Sequence, residues 1–163
     1  MPAAARPPVA RSCASRSVLG VRLNSRRVKP TLYSKMSATP KLFLVLGGIN
    51  AALVVMLGAF GAHGLKSRLT AEMLAVYQTG VHYHLFHALG LLAVGLVATQ
   101  IADSVYLKWS GWLMLAGIVL FSGSLYALSF SGLRWLGMVT PFGGVAFILA
   151  WALFVTAVLK ASP

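Results

Sequence analysis

Residues 59–92 read AFGAHGLKSRLTAEMLAVYQTGVHYHLFHALGLL. The stretch holds all four histidines, His63, His82, His84 and His87, and Glu72, one of only two acids in 163 residues. Upstream of it, Leu42 to Ala62 carries no charged side chain and is about long enough to cross a ~30 Å hydrocarbon core. Downstream, Val81 to Ala102 is a second apolar run. The polar residues between the two runs, Lys66 to Glu72, therefore read as the turn at one membrane face.

Working outward, two more apolar runs follow. The spans are predicted at 42–62, 81–102, 109–130 and 137–159. Leu69, Met73, Val76, Tyr77 and Gly80 share one helical face. Thr70 stands as an N-cap, and Glu72 sits in a first turn where the helix dipole favours an acid. This pattern predicts a short interfacial helix between spans 1 and 2, which either bends or runs straight on. Gly132 is the expected stop of the third span. Thr140-Pro141 reads as N-cap and first helical position of the fourth. The fold class is an all-α integral membrane protein, a four-transmembrane-helix up-down bundle.

Composition agrees. Hydrophobic residues make up 58% of the chain and charged residues 10%, whereas a soluble domain is about 25% charged. The mean hydropathy is +0.81. The net charge of +12 is concentrated in the leader, where Arg6, Arg11, Arg16, Arg22, Arg26, Arg27, Lys29 and Lys35 precede the first apolar run. No helix carries a basic stripe with interleaved aromatics, so nucleic acid is not an expected partner. The one cysteine, Cys13, lies in the leader, which leaves the body without a thiolate metal site or thiol nucleophile. Two acids are too few for a carboxylate-bridged di-iron site. No catalytic motif is found, and the chain is not expected to be an enzyme.

Residues 1–40 form a basic leader, with residues 41–163 as the membrane domain. The leader is rich in Arg, Ser and Ala, contains no Asp or Glu, and lacks the apolar core of a secretory signal, so it reads as an organellar transit peptide. An attached basic tail on anionic lipid and a start at Met36 are the alternatives. Positive-inside counting ties: Lys41, Lys108 and Lys160 on one side, Lys66, Arg68 and Arg134 on the other.

An up-down topology brings His63 at the end of span 1 and His82, His84 and His87 at the start of span 2 to the same half of the bundle. Span 3 arrives there with Ser122, Ser124, Tyr126 and Ser129. His84 and His87 are three apart and share a face with Tyr77 and Gly80. His82 is about 200° around the helix from His84 and points elsewhere. The candidate polar cluster is His63, His84 and His87, with Tyr126 as hydrogen-bond partner. Three imidazoles could hold a metal or, singly, haem; a histidine chain could relay protons. Against these stands helix packing, since the i, i+3 spacing has low specificity and lacks the acid of a zincin helix. No cofactor is expected, and helix packing is preferred. Asn50, between the small-residue pairs Gly47–Ala51 and Gly48–Ala52, is expected to make an interhelical hydrogen bond.

The motifs GAFGAHGL (58–65), YQTG.HYH..HALGLL (77–92), FSGSLY (121–126) and TPFGG (140–144) resemble the transmembrane protein 256 family, in the same order and over residues 41–159. The resemblance implies a four-helix membrane fold, with the family's histidine pattern falling on His63, His84 and His87. It implies no activity, because the family is catalogued as a domain of unknown function. Bacterial members sit in the inner membrane. With this leader, that suggests the mitochondrial inner membrane first and a plastid membrane second. The expected role is structural or accessory, in the lipid bilayer and beside a larger membrane complex, with homo-oligomerisation as a further option. A histidine-based metal or haem protein and a minimal proton or solute conduit are the alternatives.

Overall fold

The computed structural model describes residues 38–101 and 103–161. The transit-peptide reading, Cys13 and the alternative start at Met36 lie outside the described residues. Among the described residues, five α-helices make up four spans. Helix α1 is Ala38–Phe60, extended by a π-helical turn, Gly61–Leu65. Helix α2 is Ala71–Val97. The third span joins α3 (Val105–Gly117) to α4 (Gly123–Ser131) through a second π-helical turn, Ile118–Ser122. A 3₁₀ turn, Arg134–Met138, precedes α5 (Thr140–Lys160). The four continuous segments have 27 or 28 residues and are apolar enough to span a membrane. At 1.5 Å per residue each is about 40 Å long. No strand occurs among the described residues.

The boundaries differ from expectation in two places, the start of the first helix and the cap of the fourth span. The first helix begins at Ala38, inside the predicted leader, because Pro40 sits in its first turn, where a missing N–H costs nothing. Of the two options for the segment between spans 1 and 2, the straight run is the one found among the described residues. Thr70 accepts from Met73 N at 3.3 Å, and α2 then runs unbroken into the membrane. No proline interrupts 71–97, and Gly80, the one small residue near the expected bend, serves packing: a Cβ there would press on the Tyr126 ring. At the fourth span Thr140 does not cap. Pro141 does lie in the first turn, but the Thr140 hydroxyl is 3.1 Å from Ser124 Oγ on α4, tying two spans together. Gly132 stops α4 as expected, in the left-handed region at φ 70°.

Consecutive spans run antiparallel. Gly47 and Gly95 lie against Leu92 and Leu44, and the Tyr77 hydroxyl donates to Leu57 O at 2.9 Å. Gly90 lies against Met114, and Gly117 against Phe147. Helix α2 packs on α1 and on the third span, which packs in turn on α5. The inner spans are accordingly the more buried ones, with 44% and 39% of their apolar windows covered against 22% for each outer span. Phe43, Leu91, Val94, Met114, Ile118, Phe147 and Ala150 form the core. Glycines admit the large rings: Gly111 receives Phe43 and Gly117 receives Phe147 so closely that a Cβ at either position would collide. At the terminal face Lys160 Nζ donates to Tyr106 Oη at 2.8 Å, joining the ends of α3 and α5.

Candidate functional site

The candidate cluster is built on the inner face of α2. His84 and His87 are both buried there, 5% and 6% exposed. An imidazole inside a membrane bundle must find partners for both ring nitrogens, since lipid supplies none. The directions at His84 follow for a neutral ring. Asn50 Nδ2 donates to Leu46 O at 2.8 Å, which leaves Asn50 Oδ1 as acceptor for His84 Nε2–H at 3.0 Å. His84 Nδ1 is then unprotonated and accepts from the Tyr126 hydroxyl at 3.3 Å. One chain of hydrogen bonds thus crosses α4, α2 and α1, from Tyr126 through His84 and Asn50 to a backbone carbonyl.

His87 is satisfied independently. Its Nδ1–H donates to Tyr83 O one turn back at 2.7 Å, and its Nε2 accepts from Trp151 Nε1–H on α5 at 3.3 Å. The ring stacks on Phe147, with centroids 3.3 Å apart and planes 10° from parallel. As a neutral imidazole, each histidine thus has one nitrogen donating and the other accepting. Neither keeps a lone pair for a metal, and a ligand bond would displace Tyr126 or Trp151.

The structure brings together His84 and Tyr126 and sets His87 one turn away on α2. It does not bring His63 to them. His63 lies on the π-helical turn at the end of the first span and is exposed. Among the described residues, no three His, Cys, Asp or Glu side chains are placed to hold a metal ion. The three-histidine cluster is corrected on this point. In the π-helical turn Gly61 and Leu65 are the residues turned inward, which leaves His63 facing out, while α2 turns His84 and His87 inward. Helical angles did place His82 apart, and it is exposed.

Sequence reading expected the Asn50 hydrogen bond but not its partner, and it missed Trp151. Its signal was available: a tryptophan in the middle of an apolar run, far from the headgroup belts that tryptophan favours, needs an internal acceptor. An apolar groove of about 640 Å³ opens beside His87 and Trp151, walled by Tyr83, Phe86 and Leu89. On α4 and its preceding turn, Ser124 and Ser129 donate to Phe121 O and Leu125 O. Ser122, in the π-helical turn, is buried with no partner for its hydroxyl.

Four membrane-spanning helices closed over a neutral polar core define a small multi-pass membrane protein. A family model described as a protein of unknown function, DUF423, matches residues 57–144, which include every histidine and Tyr126. The chain is 52% identical over 120 residues to the UPF0382 membrane protein YwdK of Bacillus subtilis, covering 74% of this chain and 98% of that protein. It is 45% identical over 120 residues to the UPF0382 membrane proteins SSP2132 of Staphylococcus saprophyticus and SERP0230 of Staphylococcus epidermidis, covering 74% of this chain and 98% and 97% of theirs. The chain belongs to the DUF423 family. No solved structure matches it.

Proposed function

We propose that this protein is a non-catalytic, cofactor-free packing component of an organellar membrane, an accessory or assembly subunit of a larger membrane complex. The observation that carries the reading is the saturation of His84 and His87: all four ring nitrogens are engaged within the bundle. Such groups tie helices and orient them; they offer nothing to a substrate. The outer spans α1 and α5 support a role in packing, since most of their apolar surface lies open to lipid or to other proteins.

Within the DUF423 family, the motif order GAFGAHGL, YQTG, FSGSLY and TPFGG favours the transmembrane protein 256 branch. About a quarter of the chain lies outside the stretch shared with its bacterial relatives. The acid-free, arginine-rich composition of residues 1–35 supports import, with the mitochondrial inner membrane favoured over a plastid membrane.

The test is recovery of the full chain from its own membrane in a mild detergent, followed by native electrophoresis and metal analysis. The expected result is co-migration with a larger assembly, with the same metal content as a His84→Ala/His87→Ala variant. A free monomer, or a stoichiometric metal lost in the variant, overturns the reading.

A further inference from the structure

The outer face of α2 carries polar side chains where none should face lipid. Gln78 and His82 are one helical turn apart, and both are exposed. Glu72, in the first turn of the helix, marks the headgroup level. At 1.5 Å per residue Gln78 lies about 9 Å deeper and His82 about 15 Å deeper, which sets His82 near mid-bilayer. Neither side chain is long enough to reach water from there, and polar groups in the hydrocarbon are costly unless partnered. Together they line a groove of about 340 Å³ between α1 and α2, whose other walls include Gly58, Ala62 and Val81. The one other polar side chain lining it, Tyr77, has already given its proton to Leu57 O.

We infer that this groove is the interface of a homodimer, in which Gln78 and His82 pair with the same residues of a second copy. The chemistry commits the occupant. Two copies inserted in the same sense are related by a two-fold axis along the membrane normal, which places equal positions opposite each other. A side chain facing itself must be both donor and acceptor. A carboxamide and a neutral imidazole both are, whereas a lysine or a carboxylate would repel its own copy. The small residues Gly58 and Ala62 let the second backbone approach closely enough for those bonds to form. A Cβ on Gly58 would stand 3.6 Å from Val81 Cγ1, ordinary contact, so packing inside one copy does not require glycine there.

The test uses the full chain with Cys13→Ser, in native membranes, carrying a single new cysteine. Ala75→Cys, exposed on the same stripe as Gln78, is expected to form a disulfide dimer of twice the monomer mass. Val155→Cys, on the outward face of α5 and 53% exposed, is expected to stay monomeric. Adding Gln78→Leu and His82→Leu to the Ala75→Cys chain should weaken dimerisation about tenfold. Ala62→Leu, which fills the groove and leaves both polar groups in the sequence, should do the same. Equal cross-linking at both cysteine positions, cross-linking at Ala75→Cys to a chain of another mass, or no cross-link at all overturns the homodimer. Co-purification with a larger assembly is a separate readout, so the packing role can stand or fall independently.

Discussion

His82 and His84 stand two residues apart on α2 and about 200° apart around it, and the bundle treats them in opposite ways. His84 is buried and gives both nitrogens to its own chain, through Tyr126 and Asn50. His82 is exposed, in a groove it shares with Gln78, where the Tyr77 hydroxyl has already donated its proton to Leu57 O. The inner face has solved the problem of polar groups in a membrane within one copy, and the outer face has left it open. The same residue type thus marks stability on one side of the helix and association on the other. Identity alone does not separate the two; the direction of the side chain does.

The largest effect should come from breaking the inner face. His84→Leu removes the centre of the chain and strands the Tyr126 hydroxyl and the Asn50 carboxamide oxygen. Each buried polar group left unpaired costs about 1–3 kcal/mol, so a loss of roughly 3 kcal/mol is expected, read by unfolding in mixed detergent micelles. If the variant unfolds with the parent, the inner network contributes nothing and the contrast collapses.

A smaller effect sharpens the assignment of the pair. Tyr126→Phe alone should cost about 0.6–1.7 kcal/mol, from the average to the maximum for interhelical hydrogen bonds in a membrane protein. In the His84→Leu background that cost should vanish. A double-mutant cycle with no coupling would mean that the 3.3 Å approach carries no energy.

The smallest effect belongs to the outer face. His82→Leu should leave the unfolding of the monomer within about 0.5 kcal/mol of the parent, as surface substitutions do, while changing self-association. A large loss of monomer stability would show that His82 has an internal partner and would erase the difference between the two faces.

Much of the molecule was legible before any coordinates. Four uncharged runs of about 20 residues fix four spans, because hydrocarbon admits only segments whose backbone bonds are internal. Helical angles separated His82 from His84, and the small residues around Asn50 marked a helix crossing. The inner partners were less visible. Tyr126 could be named because antiparallel order brings the end of span 3 to the start of span 2, but the pairing of His87 with Trp151 joins residues on different spans at a depth that sequence spacing does not report. The two π-helical turns were also hidden, since each depends on how one extra residue is absorbed against a neighbouring helix. Gly143, packed against the Phe121 backbone so tightly that a Cβ would collide, is where that adjustment meets α5.

By itself, then, the sequence determined the solvent of this protein, the number of its spans and their alternating order, since these follow from hydropathy, length and short connections. Tertiary structure alone decided which nitrogen of each buried histidine carries the proton, because a tautomer is set by its hydrogen-bond partners. It also decided that His63 stays outside the cluster and that Gln78 and His82 lie exposed on the outer face of α2. Those outcomes depend on helix rotation, and rotation is set by the steric fit of glycines and rings between spans, which no single helix contains.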